Sequence, residues 1–189
     1  MLQTILGLDA ARIAHAFLSS PTTMGQRLVR GKTKIRDGGI RFEIPQQREL
    51  PQRLDAVLDA IYAAFGIGWD DMAGVDRRGR DLAEEAIWLA PVLLQLMPGE
   101  AEVHGLLALM LHCEARRMAR RRPDGRYVPL SEQDSMQWSM PLIEEAERRL
   151  AEAASRGRIG RFQLEAAIQS VHAERARSGD SVERDHDVL

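Results

Sequence analysis

Cysteine, lysine and aromatic residues are all scarce in this sequence. The single cysteine, Cys113, excludes an internal disulfide and a multi-thiolate metal site, and the expected setting is a reducing cytoplasm. Aromatic residues make up only 5% of the chain; Trp69, Trp88, Trp138, Tyr62 and Tyr127 are read as fillers of a helical core, with the lining of a groove between helices as the alternative. No long hydrophobic run is present: Ala86 to Leu94 and Gly105 to Leu111 are too short to cross a bilayer. Met1 to Leu8 is apolar but has no basic flank, so neither a signal peptide nor a membrane partner is expected. No P-loop, GxGxxG, GxSxG or HExxH occurs, so the sequence points to no enzyme and no cofactor.

What remains is ordinary globular material. A chain of 189 residues, 44% hydrophobic and 29% charged, holds one or two domains. The net charge of −2 argues against a nucleic-acid binder working through bulk positive charge, but it averages two unlike parts. Residues 1–40 carry Arg12, Arg27, Arg30, Lys32, Lys34 and Arg36 against Asp9 and Asp37, a net +4, which leaves −6 on residues 41–189. Both lysines of the protein lie in that basic head.

Almost every segment has a helical period, and the expected fold class is all-α. Asp9 caps a short helix from Ala10 to Phe17, with Ile13 and Phe17 on one face. Ser20-Pro21 opens a second helix to about Arg36, with Met24, Leu28 and Ile35 as its buried stripe. Leu18 to Ser20 is the spacing of a helix-turn-helix. Asp37-Gly38-Gly39 ends the second helix, and residues 40–45 read as extended before Pro45. Leu50, Leu54, Val57, Leu58, Ile61 and Phe65 form the next apolar face, stopped by Gly66 and Gly68, with a polar loop over 70–80. Two helices follow, from about Asp81 to Met97 and from Glu100 to about Arg121, joined tightly by Pro98-Gly99 as a helical hairpin. The first would face inward with Leu82, Ala86, Leu89, Leu93 and Leu96 and be kinked or split by Pro91; the second with Val103, Leu106, Leu107, Met110 and Leu111. Ser131 caps a turn ending near Trp138. Pro141 opens a helix through Leu142, Ile143, Ala146 and Leu150 to Gly157, and a last helix runs from about Arg161 through Leu164, Ile168 and Val171. The organisation expected is a helix-turn-helix remnant over 1–37, a linker over 38–49, a bundle of helical hairpins over 50–177 and a polar, disordered tail over 178–189.

The second helix carries the most chemistry. Thr23, Gln26, Arg27, Arg30 and Lys34 form one polar stripe beside the apolar line, with groups able to reach base edges and phosphates in a major groove. Pro21 and Thr22 mark its N-terminus, where backbone N–H groups can meet a phosphate. The plainer reading is a solvated basic face. His112-Cys113-Glu114 resembles part of a zinc deaminase site but lacks the second thiolate pair, so a buried thiol beside a helical histidine is expected. His15, His104, His172 and His186 show no ligand-pair spacing. The neighbouring acids Asp70-Asp71, Glu84-Glu85 and Glu144-Glu145 diverge on a helix and suit a wet surface.

The run from Leu8 to Leu18, continued by Thr23-Met24-Gly25-Gln26-Arg27-Leu28-Val29-Arg30-Gly31-Lys32-Thr33-Lys34-Ile35, resembles the region 4 helix-turn-helix of bacterial extracytoplasmic-function sigma factors. GIRFEIP at 39–45, ELPQRLDAVLDAIYAAF at 49–65, RDLAEEAIWLA at 80–90, HGLLALMLHCEARR at 104–117 and SEQDSMQW at 131–138 resemble the subgroup with a long helical extension ending in tetratricopeptide-like repeats. The resemblance implies recognition of the −35 element of promoter DNA by Thr22, Thr23, Gln26, Arg27 and Arg30, backbone contacts by Lys32 and Lys34, RNA polymerase core as partner, and an extension that meets protein. Region 2, the first helix of region 4 and the later repeats have no counterpart, so the expectation is an incomplete sigma factor. The competing expectation is a helical interaction module, possible as a homodimer, that no longer binds DNA.

Overall fold

The computed structural model describes residues 2–41, 43–69 and 77–178. Among them are seven α-helices, several short 3-10 turns and no strand, only one isolated antiparallel bridge between Arg121 and Tyr127. The protein is all-α. The chain divides into two units, Met1–Leu89 and Ala90–Leu189. The Asp70-Asp71 pair and the tail over 179–189 lie outside the described residues.

The first unit holds α1 (Ala10–Ala16), α2 (Pro21–Asp37), α3 (Leu50–Trp69) and the start of α4 (Arg77–Leu96). Asp9 caps α1 by accepting from the Arg12 N–H at 2.8 Å, which satisfies one of the free donors of the first turn. The helix stops at Ala16, and Leu18 takes the left-handed conformation at φ 48°, turning the chain so that the Ser19 N–H reaches the Ala14 carbonyl at 2.9 Å. For this reason Phe17 is half exposed instead of continuing the Ile13 face. α1 packs on both α2 and α3 and buries Ile13 and Ala14. In α3 the expected face is inward at Leu54, Leu58, Ile61 and Phe65. Gly66 and Gly68 do not end it; the helix runs on to Trp69, whose ring stacks on Phe65 with centroids 6.2 Å apart. α4 begins at Arg77 inside the expected loop and passes through Pro91 as one helix. It buries Leu82, Ala83, Ala86 and Ala90, whereas Leu96 is exposed. Glu84 and Glu85 are exposed.

The second unit is built around α5 (Ala101–Ala115), with α6 (Met140–Ser155) and α7 (Arg161–Ser178) packed on it and on each other. α5 is buried on nearly every side, and only Glu102 and Glu114 are not, the pattern of a helix at the centre of a core. It ends six residues earlier than its sequence period implies, at Ala115, and gives way to a 3-10 turn over Arg117–Arg120. Ala115, Ala119, Trp138, Ile143 and Ala173 close a cluster there, with Leu130 and Leu142 against it. Asp134, not Ser131, caps the turn before Trp138, accepting from the Met136 N–H at 3.0 Å. The lone thiol of Cys113 and the ring of His112 are both buried. Burial pushes the Cys113 thiol up against the opposing pull of Arg116, and pushes the His112 imidazole down although Glu147 Oε1 stands 3.4 Å from its Nε2.

α7 is rotated from its expected orientation. Phe162, Gln163, Ala166 and Ala173 face the core, and Leu164, Ile168 and Val171 are all more than half exposed. Two glycines and one acid explain the rotation. The Glu102 carboxylate of α5 accepts from the Phe162 N–H at 2.9 Å, the Gln163 N–H at 3.2 Å and the Gln163 side-chain amide at 3.1 Å. A Cβ on Gly105 would stand 2.7 Å from the Gln163 nitrogen, and one on Gly160 would fall on Glu102, with Cγ and Oε1 2.6 Å away. At Gly105 the close neighbour is the Gln163 backbone, so only glycine lets α7 approach α5 this closely, whereas at Gly160 an added Cβ would push aside the Glu102 carboxylate that caps α7.

Candidate nucleic-acid interface

α2 is held at its start and along one line only. Ser20 accepts from the Thr23 N–H at 3.1 Å, and its hydroxyl donates to Thr23 Oγ1 at 2.8 Å, while Pro21 supplies a first-turn residue with no N–H to satisfy. Gly38 caps the C-terminus, where Lys34 and Arg36 oppose the negative end of the helix. Met24 is its only buried residue. Leu28 is half-buried, and Ile35, the third member of the expected stripe, is exposed. The rest of this 17-residue helix is exposed except at Thr23, Gly25, Leu28 and Thr33, which are half-buried.

On that surface the helical rotation of about 100° per residue sorts the predicted residues into a centre and two flanks. Thr22, Gln26, Val29 and Arg30 share an arc of roughly 100° and, with Gly25, line an open groove of about 440 Å³. Arg27 and Lys34 stand on one flank and Lys32 on the other. Among the described residues no ion pair engages Arg27, Arg30, Lys32 or Lys34, whereas Arg36 is drawn to Asp37 at 2.9 Å. Before Asp37 the helix has no acid. The face is therefore a shallow, mostly apolar hollow flanked by cations that have no ion-pair partner among the described residues, complementary in charge to a polyanion.

Thr23 is only partly exposed, and its hydroxyl oxygen accepts from Ser20, which leaves its own O–H to donate. Gly25 and Val29 line the groove but are absent from the sequence-derived set. Val29 carried a signal: it is apolar, yet lies off the line of Met24 and Leu28. No group of His, Cys, Asp and Glu able to hold a metal ion occurs among the described residues, and none of the described helices is long and apolar enough to cross a membrane.

A family model described as a family of unknown function, DUF6596, matches residues 53–154. The chain belongs to the DUF6596 family. The matched segment runs from α3 into α6, so the DUF6596 signature lies outside α1 and α2. An uncharacterized protein of Rhizobium meliloti (strain 1021) is 38% identical over 188 residues, covering 100% of this DUF6596 chain and 44% of the relative. The chain thus spans less than half the length of that curated relative. No solved structure matches it.

Proposed function

We propose that this DUF6596 chain is a sigma-factor-like protein of transcription initiation, acting in the cytoplasm, in which α2 reads the −35 region of promoter DNA and the helices from α3 onward form a regulatory extension that contacts protein. The observation that carries the reading is the exposed basic face of α2, on which Arg27, Arg30, Lys32 and Lys34 have no ion-pair partner among the described residues. In a major groove, the Arg30 guanidinium suits the O6 and N7 of guanine and the Gln26 amide suits adenine. Arg27, Lys32 and Lys34 on the flanks reach toward phosphates on either side, fixing register without reading sequence. Thr22 and Thr23 lie where the helix N-terminus meets the backbone, Thr23 with its own O–H left to donate. RNA polymerase core is the protein partner that the resemblance implies.

A gel shift with promoter fragments tests the reading. Replacing Arg27 and Arg30 together by alanine abolishes sequence-preferring retention, whereas Lys32→Ala weakens all duplexes alike and lowers the salt slope by about 1. Unchanged retention by the double variant refutes the assignment. A second reading, a helical interaction module without DNA function, is favoured by the exposed Leu164, Ile168 and Val171 on α7. It predicts a stable homodimer by light scattering and no DNA retention at low salt.

A further inference from the structure

The acidic body of the chain holds one strongly basic spot. Residues 116–126 carry six arginines against a single acid, Asp124, although residues 41–189 as a whole are net −6. Past the 3-10 turn over Arg117–Arg120, Pro123-Asp124-Gly125 closes a tight hairpin in which Gly125 takes φ 83°. The Arg122 N–H reaches the Arg126 carbonyl at 2.9 Å and the Val128 N–H the Arg120 carbonyl at 2.8 Å, on either side of the Arg121–Tyr127 bridge. Buried Val128 anchors the hairpin, and the Arg121 guanidinium donates to the Gly125 carbonyl at 2.9 Å. This register sets Arg122 directly opposite Arg126, a like-charge pair that costs stability. Their acids offset little of it: Glu132 stands 3.8 Å from Arg122 and Asp124 3.3 Å from Arg126, both in exposed pairs. Apolar side chains are uncovered beside the hairpin. Met118 is 74% exposed and Met136 90%, on 3-10 turns over Arg117–Arg120 and Ser135–Gln137 that touch each other, and Met140 is exposed as well. The other methionines of the described residues, Met24, Met97 and Met110, are buried. Tyr127 is half exposed, with the Arg120 guanidinium over its ring at 5.5 Å.

Resting on the reading that the helices from α3 onward contact protein, we propose that the arginine hairpin and the methionines beside it receive an acidic, amphipathic segment of a partner protein. A guanidinium fork matches a carboxylate with two parallel hydrogen bonds, as Arg117 shows by holding both oxygens of Glu114 at 2.6 and 2.7 Å. Carboxylates of the partner set between Arg122 and Arg126 relieve their mutual repulsion. Unbranched methionine side chains repack around whatever aliphatic or aromatic anchor is laid on them, and arginine, methionine and tyrosine are residues enriched in protein interfaces. A nucleic acid would satisfy the arginines but would leave Met118 and Met136 against its charged backbone. Charge and apolar surface together therefore favour a protein segment that carries acids on one face and apolar anchors on the other. The surface lies within residues 53–154, which the DUF6596 model matches.

The test selects binders to the full chain from a random peptide library displayed on phage and titrates the selected peptides by fluorescence anisotropy. Peptides rich in Asp and Glu, with Leu, Phe or Trp at helical spacing, are expected, and their affinity falls as salt rises. Arg122→Gln with Arg126→Gln weakens them by about tenfold or more, and Met118→Ser with Met136→Ser by about fivefold or more. All four side chains are exposed, so Tm stays within about 2 °C of the native chain and the loss cannot be assigned to unfolding. Selected peptides without acidic enrichment, or binding unchanged in both double variants, overturn this surface and leave the extension's contact with protein standing. Binding that the arginine pair alone weakens overturns it too, and displacement of the peptides by single-stranded RNA would then assign the hairpin to nucleic acid. A native homodimer that the methionine pair dissociates overturns it in favour of a second copy as the occupant. Failure to select any peptide overturns it together with the protein-contact reading of the extension, while promoter retention through α2 decides the DNA reading separately.

Discussion

Removing the Glu102 carboxylate should release the start of α7 from α5. That carboxylate accepts three hydrogen bonds, two of them from backbone N–H groups of the first turn of α7, and so acts as a cap supplied by another helix. A lost cap costs about 1 kcal/mol, the favourable charge at a helix N-terminus adds about 0.5–1 kcal/mol, and the second backbone donor left without its acceptor adds about 1 kcal/mol. The Gln163 amide loses less, because it also donates to the Arg158 carbonyl at 2.7 Å. Glu102→Ala is therefore expected to destabilise the second unit by about 2–3 kcal/mol, lowering the urea midpoint by about 1–1.5 M at a slope of about 2 kcal/mol/M. Far-UV circular dichroism reads this directly in an all-α chain. Gly160→Ala supplies the decisive control. In the native background its Cβ collides with Glu102 and costs about 1–3 kcal/mol. With Glu102 already shortened to alanine the space is vacant, so the same change costs under about 0.5 kcal/mol, a non-additivity of about 0.5–3 kcal/mol of the kind contacting residues show. A Glu102→Ala variant within about 0.5 kcal/mol of the native chain, or a double variant whose losses simply add, would refute the clamp.

The rotation of α7 predicts a contrast within one helix: Phe162→Ala, at 4% exposure, costs about 3–5 kcal/mol by the same denaturation, whereas Ile168→Ala, at 57% exposure, costs under about 1 kcal/mol. The reverse order would restore the orientation expected from Leu164, Ile168 and Val171. Acid should also weaken the second unit through His112. Burial holds its folded pKa below the ordinary value, with Glu147 opposing and Arg116 assisting, and His104 is lowered in the same sense by burial, Arg156 and Arg149. Above about pH 7.5 the imidazole is almost fully neutral in both the folded and the unfolded chain, and stability is at its plateau. As pH falls below that value the unfolded chain protonates first, so stability declines toward the lower folded pKa, with a limiting slope of about 1.4 kcal/mol per pH unit for each histidine. Urea midpoints between pH 7.5 and 5 check this, and His112→Gln should flatten the decline; an unchanged slope in that variant would show that His112 does not drive it.

The local starts and stops of helices were readable because they depend on near neighbours. Asp9, Ser20-Pro21, Gly38 and Gly157 act through hydrogen bonds or backbone angles within a few residues, and each marks a boundary where the sequence places one. Glycine was less reliable inside a helix, as at Gly66 and Gly68, because its cost of about 1 kcal/mol is easily exceeded by the burial of Phe65 and its stacking on Trp69. The basic stripe of α2 was readable for the same local reason, being a matter of helical spacing and charge alone.

By itself, then, the sequence determined the all-α class, the α2 boundaries and the +4 head that its charges make of residues 1–40. Tertiary structure decided which faces are inward. A period of 3.6 residues identifies an apolar line, but a helix turns toward whichever neighbour offers the closest fit, and in α7 a distant carboxylate and two absent side chains outweigh three larger aliphatic ones. α5 shows the same limit from the other side: surrounded by packing partners, it buries the positions its period marks and those it does not. At α2 the converse holds, since only the structure reveals that Val29 is uncovered and that the missing Cβ of Gly25 faces open space.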